Sequence, residues 1–449
     1  MPIAQSVLNH PLRATLAAEV HSRPFLRMGA PESLTHLAIY PNRAKNGGDH
    51  EAAQHATLQA LCQHFGVTAP QGAANYFSHD FGRFRLKWEC HAEFATFTFA
   101  QHHDEMPSLA EAFEKMPLTQ LPEQWLASLQ ETVIVAAHVV LEKPAANRAD
   151  DTAAIGALFE GNTLVASRTL QDSELWTDFL IQSDGFSRFV LRDLGLREQQ
   201  ASRLVQRVLE IETYRMMALL GLPHAQRAAP ALNTIESELA MLTATMVGTD
   251  LHAIDSVSDH GNDEEAQLRE LTALAARIEM LALDNSYRFS ASQAYQRLVQ
   301  ARIDELRESR IEGMPTVGEF MERRLVPAMN TCAAVASRQL ALAQRIAQSN
   351  DLLRTRVGIV QEQQNRAILS SMNHRAAQQL HLQQAVEGLS VVAISYYSVG
   401  LLSYLGKATK AAGWLGNPDI AIGMLIPLVV LAAWLGLRRL HRSPLPKAE

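Results

Sequence analysis

The segment LHLQQAVEGLSVVAISYYSVGLLSYLGK, residues 380–407, changes from a polar to an apolar helical pattern after Glu387. The 19 uncharged residues Gly388–Gly406 are long enough to cross a hydrocarbon core of about 30 Å. A second uncharged run of 18 residues, Ile420–Leu437, follows shortly afterwards. The two runs predict a transmembrane helical hairpin over residues 386–437, and the alternative is a buried helical hairpin in a soluble core.

The residues around the two runs predict the orientation of the hairpin. Residues 438–449 form a basic tail, whereas the loop between the runs carries two lysines and one aspartate. Because the stronger positive cluster tends to stay in the cytoplasm, we expect both termini to be cytoplasmic and the loop to be external. The N-terminal residues lack the basic start and apolar run of a secretory signal, which agrees with this orientation.

The chain before the first run predicts a long helix. No proline occurs between Pro327 and Pro418, and apolar residues recur at steps of three and four residues. We therefore expect one helix over residues 327–405 that enters the membrane without a break, with Pro327 in its first turn. The turn before it is predicted at residues 312–318, which contain glycine and proline.

Two further helices are predicted upstream. Residues 263–312 carry ten acids and seven arginines, whereas residues 327–385 carry two acids and six arginines. This opposite charge favours packing of the two long helices against each other. Residues 257–262 are predicted to form a loop, and a shorter helix over residues 198–220 is predicted to stop at Gly221.

Residues 1–195 show a different pattern, with short apolar runs separated by turn signals. Helices are predicted at residues 51–65 and 122–130. Hairpin turns are predicted at residues 160–162 and 183–185. Strands are predicted at residues 34–40, 82–89, 92–99, 132–141, 157–159, 163–170, 175–182 and 186–191.

These elements predict an α+β or α/β cytoplasmic sandwich domain with a mixed or largely antiparallel sheet. The predicted order is the sandwich domain (1–195), a helical bundle and stalk (196–385), the hairpin (386–437) and the basic tail (438–449).

The composition excludes several functional classes. A net charge of −7 and a pI near 6.2 argue against a nucleic-acid-binding protein. The three cysteines form neither a disulfide framework nor a zinc motif. The sequence contains no P-loop, HExxH or nucleophile-elbow motif, so we expect no enzymatic activity and identify no cofactor.

Two groups of residues are candidate sites. Alternation along a strand would place Glu89, His91 and Glu93 on one face, where they could bind a cation or form a structural network. In the first apolar run, small and hydroxyl side chains could line a pore or pack against another helix. The residues that could form this second site are Ser395, Tyr397, Ser398, Gly400 and Tyr404, with Asn365 and Asn373 nearer the cytoplasm.

Four segments resemble the bacterial DUF3422 family of membrane-anchored proteins of unknown function. They are HPLRATLAAEVHSRPF (10–25), FGRFRLKWECHAEF (81–94), LEIETYRMMALLGLP (209–223) and LQQAVEGLSVVAISYYSVGLLSYL (382–405). The order of parts is also similar to that of the CorA-type magnesium and cobalt transporters, which implies a pentamer whose first spans line a pore. The Gly-Met-Asn signature of those transporters is absent where the first run ends, in GLLSYLGKATK.

These features give two functional hypotheses. The first is an oligomeric, CorA-like ion channel or transporter in the bacterial inner membrane, with a divalent cation as a candidate ligand. The alternative is a membrane-anchored scaffold or sensor whose hairpin only tethers and oligomerises the protein. Both hypotheses have the lipid bilayer and a second copy of the chain as partners, and neither includes nucleic acid.

Overall fold

A computed structural model describes most of the chain. The described residues are 10, 12–13, 16–17, 24–40, 50–70, 74–105, 108–144, 152–161, 163–197, 199–252, 260–411 and 418–440. The chain divides into two units. Unit 1 comprises Met1–His252 and Glu270–Ser349, and unit 2 comprises Ala253–Arg269 and Asn350–Glu449. The domain boundaries expected at residues 195, 385 and 437 stay a prediction.

Nine strands in the described residues form one mixed sheet in the order β2-β3-β4-β1-β5-β8-β7-β6-β9. Strands β5 and β8 are parallel, and every other neighbouring pair is antiparallel. The predicted mixed sheet is therefore confirmed. The strands are β1 Glu32–Ile39, β2 Tyr76–Asp80, β3 Arg85–Cys90, β4 Ala95–His102, β5 Val133–Glu142, β6 Val165–Thr169, β7 Ser173–Ile181, β8 Ser187–Asp193 and β9 Ser309–Arg310.

Within the described residues, four short helices accompany the sheet, and five long ones follow it. The short helices are α1 His50–His64, α2 Leu109–Glu114, α3 Glu123–Ser128 and α4 Thr152–Gly156, with a 3-10 turn at Pro117–Gln120. The long helices are α5 Gln200–Leu219, α6 Gly221–His252, α7 His260–Leu306, α8 Val317–Ala411 and α9 Pro418–Leu440. The expected succession of a mixed-sheet domain and long helices is confirmed.

Both faces of the central strands are covered, which is why β1 is buried along its whole length. One face forms an apolar core in which Leu37, Trp88 and Phe97 lie side by side across three strands. Side chains of α1 and α3, such as Leu58 and Trp125, complete this core. The opposite face carries polar residues and lies against α5.

Capping residues determine where α8 begins. The Thr316 hydroxyl accepts a hydrogen bond from the Glu319 amide (3.2 Å), and the Glu319 carboxylate accepts one from the Thr316 amide (3.1 Å). This capping box starts the helix at Val317, so the prediction that Pro327 occupies the first turn is wrong. The turn predicted at residues 312–318 is confirmed.

The junction of α5 and α6 at Gly221 is a close contact rather than a loop. A Cβ atom at Gly221 would lie 2.5 Å from the Ser292 hydroxyl of α7 and 3.4 Å from the Cys332 sulfur of α8. Glycine therefore allows the backbone to approach both helices. Pro223 fits immediately afterwards, because the first turn of a helix does not need its N–H group.

Three other local predictions are wrong. Residues 157–159 follow α4 as a turn rather than a strand, so the hairpin predicted at residues 160–162 lacks its first strand, and residue 162 lies outside the described part. Residues 260–262 begin α7 rather than continue a loop, and residues 257–259 lie outside the described part. The hairpin turn at residues 183–185 is confirmed by the Gln182 amide, which donates to the Phe186 carbonyl.

One helix in the described part, α8, contains a window long and apolar enough to cross a membrane, by length and composition. Only 6% of this window is buried in the chain. In α9 the described apolar stretch is shorter, Ile422–Gly436.

Candidate ligand-binding cavity

A cavity of about 230 Å³ lies in unit 1 between the polar face of the sheet and α5. The alternation of β3 directs Lys87 and Glu89 into it, while Trp88 between them points into the apolar core. Strands β1 and β4 contribute His36, Thr96 and Thr98. Helices α5 and α7 complete the wall with Ser202, Gln206, Leu209, Glu210, Thr213, Tyr214 and Arg302.

His36 is held as a neutral imidazole with a defined tautomer. Burial, followed by the nearby charges of Lys87 and His91, lowers the pKa of His36 to about 3. The Thr213 hydroxyl donates to the Leu209 carbonyl (2.8 Å), so it accepts from His36 Nε2–H (3.1 Å). The unprotonated Nδ1 therefore accepts from the Thr98 hydroxyl at 2.8 Å.

A chain of charged and amide groups crosses the cavity wall. The Lys87 ammonium lies 3.0 Å from the Glu89 carboxylate and donates to Gln206 Oε1 at 3.4 Å. Gln206 donates to Glu210 Oε1 at 2.7 Å, and Arg302 donates to the other oxygen of Glu210. The two cations and two carboxylates balance, so the charged wall has no net charge.

Thr96 is the exception in this satisfied network. Its side chain lines the cavity and is 4% exposed. Among the described residues, the Thr96 hydroxyl has no hydrogen-bond partner. An unpaired buried hydroxyl costs about 1–3 kcal/mol, which a bound polar group would offset.

The structure separates the three residues of the predicted polar face. Glu89 and His91 line the cavity, whereas Glu93 forms a buried bidentate ion pair with Arg288 at 2.7 and 3.2 Å. Strand β3 ends at Cys90 and β4 begins at Ala95, so the alternation expected through Glu93 does not hold. Among the described residues, no group of three or more His, Cys, Asp or Glu side chains could hold a metal ion.

The span candidates do not form an enclosed site within one chain. Tyr397 and Tyr404 are 72% and 76% exposed, and a Cβ atom at Gly400 would meet no atom within 4 Å. Ser395 is buried, while Ser398 is half-buried. Asn365 and Asn373 are exposed on α8.

Sequence reasoning missed His36, Lys87, Thr96 and Arg302. The lysine between two apolar residues in RLKWEC could have indicated a buried polar site, because lysine is rarely buried without a partner. Arg302 gave no local signal, since it reaches the cavity from a helix about 200 residues farther along the chain.

The fold and the cavity define a protein with a mixed sheet, long helices and a polar cavity beside the sheet. The chain belongs to the DUF3422 family of proteins of unknown function, which matches residues 8–443. No curated protein and no solved structure matches the chain.

Proposed function

We propose that this DUF3422 protein is a membrane-anchored sensor that binds a small polar molecule in the cavity of unit 1. In this proposal, the two apolar runs, 388–406 and 420–437, span the bacterial inner membrane and leave both termini in the cytoplasm. The hairpin tethers the protein and joins copies of it. The observation that supports ligand binding most strongly is the polar cavity with the unpaired Thr96 hydroxyl.

The chemistry of the cavity supports binding better than simple packing. Burying charged groups is costly, and apolar residues of similar size are often as stable or more stable at such positions. Lys87 is nevertheless almost fully buried, beside a second ion pair between Arg302 and Glu210. Converging polar groups in a cleft or cavity with apolar walls are typical of small-molecule sites.

Incubation with a dialysable metabolite fraction tests ligand binding. We expect this fraction to raise the Tm of the purified full-length protein in detergent. The Thr96→Val variant should respond less, whereas Thr331→Val, on the exposed surface of α8, should respond as wild type does. An unchanged Tm of the wild-type protein would contradict the sensor proposal.

The exposed apolar side chains of α8 support the membrane anchor. Leu389, Val392 and Leu401 lie in the apolar run 388–406 of this helix, and all three are largely exposed. A contiguous apolar surface of this kind is typical of contact with lipid or with another protein.

Cysteine labelling tests the topology. An impermeant maleimide added to intact cells should label Ala412→Cys in the loop but not Ser443→Cys in the tail. The native cysteines, Cys62, Cys90 and Cys332, are buried, so labelling of the wild-type protein measures the background signal. Equal labelling of both variants, or of neither, would contradict two spans with cytoplasmic termini.

A CorA-like ion channel or transporter is the second candidate. Tyr397, Gly400 and Tyr404 are spaced by three and four residues, so they share one helix face that other copies could complete. In a CorA-like pentamer, this face would line the pore, and a divalent cation would be the cargo. Neither candidate is an enzyme.

Ion flux in proteoliposomes tests the second candidate. Wild-type protein should conduct, and Gly400→Leu should block the flux by filling the pore. A matched substitution outside the span, Gly358→Leu, should leave it unchanged. Absence of flux with the wild-type protein under any cation gradient would exclude transport.

A further inference from the structure

We propose that the cavity binds a small zwitterion, with one carboxylate and one ammonium group on a short apolar or aromatic body. This inference rests on the proposed sensor function and specifies its ligand. It comes from the groups that line the cavity and from the hydrogen bonds that these groups have left to make.

Lys87 and Thr96 form the carboxylate-binding end. Lys87 is 4% exposed and has three N–H donors, whereas the described residues supply two acceptors, Glu89 and the more distant Gln206. Lys87 pairs with Thr98 in the sheet and Glu89 pairs with Thr96, so Lys87 and Thr96 are diagonal neighbours on one face. Both can donate to a carboxylate of the ligand.

Glu210 provides the ammonium-binding end. One oxygen of its carboxylate accepts from Gln206 and the other from Arg302. Each carboxylate oxygen has two lone pairs, so Glu210 retains acceptor capacity for a further N–H donor. The ligand ammonium would donate there, on the α5 side of the cavity.

The balance of charge selects a zwitterion over a simple acid or amine. Lys87 and Arg302 are already balanced by Glu89 and Glu210. A ligand with a net charge would bring an uncompensated charge into a buried site, which is costly. A zwitterion brings both charges and leaves the cavity neutral.

Apolar walls accommodate the body of the ligand. Leu26, Leu209 and Phe94 are buried and line the cavity, together with the half-buried ring of Tyr214. The volume of about 230 Å³ limits the ligand to a small molecule. Free amino acids with apolar or aromatic side chains have these properties.

Calorimetric titration of the full-length protein in detergent tests the inference. The zwitterionic probes are L-leucine and L-phenylalanine. The comparison probes are phenylalanine methyl ester, which lacks the carboxylate, N-acetyl-phenylalanine, which lacks the ammonium, and glucose, which is neutral. We expect a free amino acid to bind with a Kd below about 1 mM and both derivatives to bind at least tenfold more weakly.

Variants connect the binding to the cavity. Thr96→Val keeps the side-chain shape but removes the hydroxyl, and it should weaken binding by roughly 10- to 100-fold because a hydrogen bond to a charged group is lost. Lys87→Gln should abolish binding. The control Thr331→Val, on the exposed surface of α8, should bind as wild type does. If Lys87→Gln does not fold, the affinity of Thr96→Val for the amino acid alone tests the inference.

Three results would overturn the inference. They are no binding of either amino acid at millimolar concentration, equal binding of a derivative and its parent, and unchanged binding by Thr96→Val. If only N-acetyl-phenylalanine or glucose binds, the zwitterion is wrong and the sensor proposal stands. If no probe binds and the metabolite fraction does not raise the Tm, the sensor proposal fails as well.

Discussion

The cavity in unit 1 and the apolar window of α8 in unit 2 distribute polarity in opposite ways. The cavity buries Lys87, His36 and Thr96, side chains that usually contact water. The window exposes Leu389, Val392 and Leu401, side chains that usually avoid it. Each region departs from the pattern of a simple soluble domain. Under the proposed function, a component from outside the chain would explain each departure, a ligand for the cavity and lipid for the window.

The largest effect is expected where a buried charge loses its partner. Arg288→Met leaves Glu93 buried without its bidentate partner, which should lower the free energy of unfolding by about 3–5 kcal/mol. Urea denaturation of the full-length protein in detergent measures this change. The matched control is Arg366→Met, which removes an exposed ion pair with Glu362 and should cost about 0–1 kcal/mol. Equal losses of unfolding free energy in the two variants would contradict the expectation that the buried ion pair contributes more than the exposed one.

A charged side chain placed in the apolar window tests whether this part of α8 contacts lipid. Leu401→Arg should oppose insertion by about 2.5–3.5 kcal/mol near the centre of a span, and it should reduce the fraction of protein in the membrane pellet. Leu352→Arg, at a similarly exposed leucine of α8 outside the window, is the control and should not change that fraction. Unchanged membrane recovery of Leu401→Arg would argue that the window does not contact lipid.

Two threonines of β4 that face the cavity should respond differently to the same substitution. Thr98→Val leaves Nδ1 of the buried His36 without a donor and should lower stability by about 1–3 kcal/mol. Thr96→Val removes a hydroxyl that has no partner in the described residues and should leave the stability of the ligand-free protein unchanged or slightly higher. Chemical denaturation measures both. A large loss in Thr96→Val would show that this hydroxyl has a structural role.

A further effect depends on pH and grows gradually as the pH falls. The pKa of His36 is lowered to about 3 by burial, from an unfolded value near 6.5, so only the unfolded state takes up this proton between these values. The contribution of the neutral His36 to the free energy of unfolding should therefore be complete above pH 6.5. It should decrease by about 1.4 kcal/mol per pH unit below that value, until the folded pKa is reached.

His138 behaves similarly, because burial lowers its pKa to about 4. The His36→Gln variant lacks the contribution of one buried histidine, so its stability should fall less steeply than that of wild type as the pH drops below 6.5. An identical slope in wild type and His36→Gln would contradict a buried neutral His36.

Much of the fold follows from local sequence patterns. Period-two runs predict most of the strands, and the proline-free stretch after Pro327 predicts the continuous part of α8. The true start of α8 was also readable, because Thr316 and Glu319 have the spacing of a capping box. Strand β2 and the role of Gly221 were not predicted, since they depend on contacts with distant segments.

The cavity itself was not predicted, but two of its residues, Glu89 and His91, belong to the polar face that the sequence predicts. Its other charged and hydroxyl groups come from β1, β4, α5 and α7, and no sequence spacing relates them. Glu93 shows the limit of strand alternation, because the chain turns after Cys90 and directs this carboxylate to Arg288. Long-range pairing, rather than residue type, determines which polar groups meet.

The central claim is that the unpaired hydroxyl of Thr96 belongs to a ligand site. The most direct test measures two quantities on wild type and Thr96→Val, the stability of the ligand-free protein and the affinity for L-phenylalanine or L-leucine. We predict equal or slightly higher stability of the variant together with binding at least tenfold weaker. Unchanged affinity, or a loss of stability large enough to explain the weaker binding, would contradict the claim.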